Sequence, residues 1–346
     1  MVKRVLLVTL FVVSGFGGFA TAGDKAIQDK RVSQLAMEIR DKGWIVYSAR
    51  SQNGTWDLFL SRPDGSQRRN ITNTPGFEEG GARFSPDSKK MLYRRWEKGT
   101  VINHDLWGFQ GMLVIADSNG ANPAIIGKEG QYPWASWSPD GKQIACLAKK
   151  GIFIADLATK EVVRKMPRQG IYQQLFWSPD GKWFCGVANY LGGVWTVARV
   201  DVNTGLLNPA HKFQSCTPDW FPDSKHIIFS SRPAGQPAKD GYGWTQLWMV
   251  DGEGKNPQLI FGQDGYHIYG GALSPDGKYV LFTKFPRDGA GARESGAPIF
   301  IMRFADAPTI DGKSYDLRKV HPNTKDGPVL RLCEGWEPCW TYADLN

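Results

Sequence analysis

Trp137-Ser138-Pro139-Asp140-Gly141-Lys142 decides the fold, because the chain writes this stretch five times. Phe84-Ser85-Pro86-Asp87-Ser88-Lys89 precedes it and Trp177-Ser178-Pro179-Asp180-Gly181-Lys182 follows. Trp220-Phe221-Pro222-Asp223-Ser224-Lys225 and Leu273-Ser274-Pro275-Asp276-Gly277-Lys278 complete the set. Each copy reads as a tight hairpin turn. Proline fixes φ at the first turn position, Asp takes the second, and Gly accepts the positive φ that closes the hairpin. The Ser before Pro is placed to bond the turn amides through its hydroxyl. Ser88 and Ser224 stand where the other copies have Gly, at a modest cost in strain, since non-Gly residues resist φ > 0.

Working outward, a strand follows every turn: Met91–Arg94, Gln143–Leu147, Trp183–Val187, His226–Ser230 and Tyr279–Thr283. A second strand then ends in an Asp-led turn, as in Asp117-Ser118-Asn119-Gly120 or Asp251-Gly252-Glu253-Gly254. A last short strand leads to the next copy. Four strands per unit is the grammar of a propeller blade. The prolines at 86, 139, 179, 222 and 275 lie 53, 40, 43 and 53 residues apart, within the period that blade repeats show. Asp41-Lys42-Gly43-Trp44-Ile45-Val46-Tyr47 matches the second half of a turn with its strand. Its missing first strand is supplied from the other end by Glu337-Pro338-Cys339-Trp340-Thr341-Tyr342. The expectation is an all-β, six-bladed β-propeller of four-stranded antiparallel blades, closed by strand exchange so that no sheet edge stays free.

These copies resemble the WD-like repeats of TolB-type propellers over residues 41–346. Arg69-Asn70-Ile71-Thr72-Asn73-Thr74-Pro75-Gly76, ahead of Phe84-Ser85-Pro86-Asp87, is similar to the linker between two such blades. Residues 23–40 are too short for the α/β domain that precedes the propeller in TolB itself. The resemblance implies fold more than chemistry, because the same blades serve cell-envelope proteins, carbohydrate lyases and peptidase gates. A more distant resemblance runs to propeller-type oligogalacturonate lyases, which gather His and Gln around a divalent ion. It implies a candidate metal set of His211, Gln214 and His267, with Gln173 or Gln174 nearby.

The N-terminus reads as a signal segment over residues 1–22. Lys3 and Arg4 open it, Val5–Val13 is the apolar run, and Ala20-Thr21-Ala22 is a small-residue cleavage site. The apolar run is too short for a membrane span and breaks at Gly15, Gly17 and Gly18. The expected location is therefore periplasmic or secreted, with no transmembrane segment in the mature chain. Residues 23–40 carry Ile27, Val32, Leu35, Ala36 and Ile39 on one side, as a short amphipathic helix does. The formal net charge of +8 falls to +6 when Lys3 and Arg4 leave with the signal. That charge is spread without a basic stripe, so nucleic acid is not an expected partner. Cys333 and Cys339, two of five cysteines, are the only pair near enough in sequence to invite a bridge, a pairing that spacing alone leaves open.

Topology sorts the loops. The repeated turns fall on one face of a propeller, and the three long insertions, 96–110, 232–245 and 285–298, fall on the other, where long loops carry function. The lead-ins to the innermost strands converge there: Glu78 and Glu79, Tyr132 and Trp134, Tyr172 and Gln173, His267 and Tyr269, Trp336 and Glu337. Aromatics mixed with a few polar groups form a ligand site, so these ten are the candidate binding residues. His104 and His321 lack a ligand-spaced companion. No Gly-x-Ser-x-Gly elbow, His-Glu-x-x-His, phosphate loop or dinucleotide fingerprint occurs. The sequence thus points to an exported, non-catalytic propeller without a cofactor, binding a protein or glycan of the cell envelope. The alternative is a divalent-metal-dependent lyase acting on acidic, pectin-type oligosaccharides.

Overall fold

The computed structural model describes residues 22–100, 107–149, 151–167, 170–191, 194–211, 214–232, 245–263, 265–286, 296–308 and 327–345. The signal segment but for its last residue, the middles of the three insertions, His104 and His321 lie outside these.

Every strand pairs antiparallel with its sequence neighbour, as short turns require. Four sheets have four strands each, spanning 77–126, 136–167, 171–209 and 215–261. The fifth has seven. It differs from the expected separate sheets because one long strand, Leu330–Thr341, serves two neighbours. Its first half pairs with Ala297–Arg303, through Ala297↔Gly335 and Ile299↔Cys333. Its second half pairs with Trp44–Arg50, through Trp44↔Thr341 and Val46↔Cys339. The C-terminal strand expected to complete the first unit does so. The same pairing answers the cysteine question. Cys333 and Cys339 are free, with about 20 Å of extended strand between them, far beyond disulfide reach.

The repeated turns follow one hydrogen-bond scheme. Ser178 Oγ donates to Asp180 at 2.7 Å and accepts from the Trp183 amide at 3.0 Å, while the Gly181 amide closes onto the Ser178 carbonyl. Ser85, Ser138 and Ser274 repeat it. In the one copy that has Phe221 for Ser, Asp223 accepts both the Lys225 and His226 amides. Gly141, Gly181 and Gly277 have φ of 69°, 78° and 71°, and Ser88 and Ser224 adopt 57° and 59°. The two serines offset that strain by bonding a neighbouring unit. Ser224 Oγ accepts the Asp180 amide at 2.9 Å, and Ser88 Oγ accepts from Thr341 Oγ1 at 2.7 Å.

Apolar side chains fill the spaces between adjacent sheets. Trp44, Val46, Leu58 and Leu60 interdigitate with Met91, Tyr93 and Val114, all fully buried. The N-terminal helix, Ala22–Ile39, docks through Leu35 and Ile39 onto Ile45, Leu281 and Ile301 beside the shared strand. The i, i+4 spacing puts both on one helix face, each worth about 1.5–3 kcal/mol of burial. Glu38 anchors the helix by accepting from Arg303 Nε at 2.9 Å and from the Tyr279 hydroxyl.

Two outcomes test this architecture. Ser224→Ala keeps the positive φ and loses the bond to Asp180, so it should lower stability by about 1 kcal/mol in a denaturant titration. Ser224→Gly relieves the strain as it loses the bond, so its cost should be less than half as large. Deleting residues 330–346 exposes the edges of Ala297–Arg303 and Trp44–Arg50. The truncated protein should aggregate under conditions that keep the full chain soluble, as light scattering will report.

Candidate functional site

Six segments that line one cavity break step with their neighbours. Gly81, Trp134, Gln174, Thr217, Gly270 and Glu337 all have positive φ, from 48° to 69°. Five stand four residues before the first residue of a repeated turn, and Glu337 stands four before Thr341. Ladder pairing skips here, leaving two inner-strand residues opposite one: Gly81 and Ala82, Gln174 and Leu175, Thr217 and Pro218, Glu337 and Pro338. Such bulges bend a strand and re-aim its side chains. Gly186 lies across from the Gln174 bulge, where a Cβ would sit 2.5 Å from the Gln174 carbonyl oxygen. Four of the six are not glycine, and β-branched Thr217 is the costliest, at roughly 1–2 kcal/mol.

The strain is held by bonds both within a sheet and from one sheet to the next. The Thr217 amide donates to Gln174 Oε1 at 2.9 Å. Thr217 Oγ1 donates to Ser230 Oγ at 3.0 Å, and the Gly270 amide donates to the same oxygen at 3.1 Å. The Trp134 amide donates to the Gly108 carbonyl at 2.9 Å.

At this waist lies a cavity of about 90 Å³. At ~15 Å³ per water it has room for about six waters. Trp134, Tyr269, Trp336 and Glu337 of the expected set line it. So do Arg83, Arg94, Gln174, Phe176 and Asp219, five residues the loop argument passed over or left aside. Arg83 Nη1 donates to the carbonyls of Ala82 at 2.9 Å and Glu337 at 3.2 Å, and its guanidinium stands 5.4 Å from the centre of the Phe176 ring. Among the described residues Asp219 accepts only the amide of its neighbour Trp220, at 2.8 Å. Burial raises the Asp219 carboxyl to about 6, against a smaller downward pull from Arg83. Burial likewise raises Glu337, with Arg83 and the Gly81 amide opposing. The signal for Arg83 and Asp219 was present: each is a charge two residues before a turn, where other copies carry Ser136, Phe176 and Ala272.

The remaining candidates sit away from this cavity. Glu78 accepts the Trp56 amide at 2.6 Å and lies 3.7 Å from Arg50, tying neighbouring sheets together. Glu79 is buried in an ion pair with Arg95 at 2.8 Å, and burial raises its carboxyl. Tyr132 is buried among apolar side chains, while its carbonyl accepts from Arg94. Gln173 is buried in the ladder opposite Val187, and Tyr172 beside it is half-buried. His267 Nδ1 bonds Thr245 Oγ1 at 3.0 Å, with its ring stacked on Tyr269. His211 Nε2 bonds Ser231 Oγ at 2.9 Å, and burial lowers its pKa to about 3, so it is neutral at physiological pH. Gln214 accepts from Arg232 at 3.4 Å. The two histidines of the candidate metal set are thus each engaged with a hydroxyl on a different inter-strand contact. Among the described residues no group of three His, Cys, Asp or Glu is disposed to hold a metal ion.

Asp219 sets a pH dependence. Its pKa is higher folded, about 6, than in an unfolded chain, near 3.8, so the folded state holds the proton more tightly. Its ionisation therefore costs stability progressively as pH rises from about 4 to 6, and the whole cost stands above pH 6. Asp219→Asn should stabilise the protein at pH 7.5 by about 1–2 kcal/mol, since channel water screens part of the desolvation. The gain should shrink toward zero by about pH 4 in melts across that range.

No family model and no curated protein matches this chain. Solved structures do. TolB from Acinetobacter baumannii superposes with a TM-score of 0.61 at 20% identity, over 92% of this chain and 73% of that one. A structure designated TolB from Agrobacterium tumefaciens gives 0.52 at 19% identity, over 85% and 98%. Oligogalacturonate lyase from Vibrio parahaemolyticus gives 0.42 at 14% identity, over 76% and 70%, too low to carry an argument about chemistry. The likeness to the TolB structures establishes the fold: an all-β propeller with one short helix, of the kind found in TolB.

Proposed function

We propose that this chain is an exported, non-catalytic propeller that binds a protein partner of the cell envelope over the mouth of its channel. In this reading the seven-stranded sheet acts as two blades sharing the Leu330–Thr341 strand, which makes six blades around the channel. The observation that carries the proposal is the aromatic wall of the cavity. Tyr269 and Trp336 meet edge to face with ring centroids 6.4 Å apart, Phe285 packs against Trp336 at 5.8 Å, and His267 stacks on Tyr269 at 5.5 Å. Tyr269 and Trp336 remain half-buried and line the cavity, whereas Phe285 and His267 behind them are buried. Two broad side chains already held by neighbours present contact area with little ordering cost on binding, the property of interface anchors. Export is supported by the Lys3-Arg4, apolar and Ala20-Thr21-Ala22 pattern over residues 1–22, and among the described residues no helix is long and apolar enough to cross a membrane. The TolB likeness supports a protein partner over a glycan.

Two measurements test this. Mass spectrometry of the protein from its native host should find a mature terminus near Gly23, and a retained Met1 would refute export. A photocrosslinking amino acid in place of Trp336 should give a discrete protein adduct in the native envelope. The same probe at Val163, exposed on an outer strand, should give none. With that partner in hand, Tyr269→Ala should weaken binding by about 2 kcal/mol. Equal labelling from both positions, or unchanged affinity, would sink the proposal.

A further inference from the structure

We propose that the waist of the channel is a binding site for a small zwitterion, of the size and charge pattern of a simple α-amino acid. The site shares the Tyr269 and Trp336 wall with the partner proposed above but does not rest on that reading. Opposite charges face this cavity without pairing with one another. Arg83 and Arg94 come from one sheet, 77–126, and Asp219 comes from the 215–261 sheet, with two whole sheets between them along that side of the ring. Arg83 and Asp219 feel each other's charge, yet no ion pair joins them. Arg83 spends Nη1 on protein carbonyls, and among the described residues the Nε–Nη2 edge of its fork has no protein partner. Among the described residues Asp219 Oδ2 has no partner either, because its other oxygen accepts the Trp220 amide.

Arg94 adds a second, separate observation. It is 4% exposed and borders the same cavity. Its donors go to the neutral carbonyls of Gly111, at 3.4 Å, and Tyr132. Among the described residues no carboxylate pairs with it, and burial lowers its pKa to about 10. A buried cation without a counter-charge is costly, and an anionic group in the cavity relieves that cost. The opposing carboxylates of Asp219 and Glu337 would repel a simple anion and favour a cation at their end. A ligand bearing a carboxylate and an ammonium satisfies both ends. Its carboxylate fits the open Arg83 edge, where a guanidinium fork binds two oxygens at once. Its ammonium fits Asp219 Oδ2, in a cavity that Tyr269 and Trp336 also line. The cavity of about 90 Å³ limits the ligand to a few heavy atoms.

The test uses the full mature chain and three probes: glycine, acetate and methylammonium, titrated by calorimetry at pH 7.5. Glycine should bind saturably and at least 10-fold more tightly than either half-probe. Asp219→Asn and Arg83→Lys should each weaken glycine at least 10-fold while melting cooperatively. Should Arg83→Lys not fold, Asp219→Asn, which keeps the acceptor for the Trp220 amide, decides alone. Methylammonium binding as well as glycine would make this a plain cation site and overturn the proposal. Glycine binding no tighter than acetate, unaffected by either substitution, or absent up to tens of millimolar would overturn it equally.

Discussion

One strand, Leu330–Thr341, has to satisfy two sheets at once, and the rest of the molecule depends on its doing so. A row of antiparallel sheets has a free edge at each end, and each free edge is a row of unpaired amides and carbonyls. Here the last strand of the chain covers Ala297–Arg303 with its first half and Trp44–Arg50 with its second. The change of partner falls near Trp336 and Glu337, where the strand reaches the channel wall. Ring closure and construction of the site are therefore one event. The Trp340 indole, donating to the Lys42 carbonyl at 2.6 Å, and Thr341, bonded to Ser88, lock the closing strand to both the start of the chain and the adjoining sheet.

The second organising feature is the ring of bulges. A regular inner strand would send alternate side chains to the channel and the inter-sheet core, with every amide in the ladder. The left-handed residue interrupts this in each of the segments that line the cavity. The released groups reach sideways, as in the Thr217 amide to Gln174 and the Gly270 amide to Ser230. The strained backbone is thus held by bonds between sheets. It also explains why charged residues are tolerated there. Arg83 and Asp219 follow their bulges by two residues and face a cavity instead of the apolar spaces filled by Phe184, Phe229 and Phe282.

Among the expected residues, the division between site and scaffold follows the same geometry. Glu78, Glu79, Tyr132 and Gln173 precede the bulges and are turned into contacts between strands or sheets, so their polarity is consumed by the fold. His211 and His267 are likewise held by Ser231 and Thr245. Trp134, Tyr269, Trp336 and Glu337 lie at or next to a bulge and keep a face toward the cavity.

What the sequence determined by itself was everything that local chemistry dictates. Ser-Pro-Asp-Gly specifies its turn through φ preferences and a short hydrogen-bond scheme, so five copies announce five hairpins and their period announces a propeller. The half-units at residues 41–47 and 337–342 announced the closure for the same reason. The sharing of Leu330–Thr341 between two sheets was not legible, because nothing local tells a strand where to change partners. Nor was the waist. Whether a charged side chain faces a channel or a neighbour depends on a bulge whose positive φ falls on Trp134, Gln174, Thr217 or Glu337, residues with no intrinsic preference for it. Only the closed ring, by holding each inner strand against its neighbours, imposes that conformation. It thereby brings Arg83, Arg94, Asp219 and Glu337, scattered over more than two hundred residues of chain, around one small cavity.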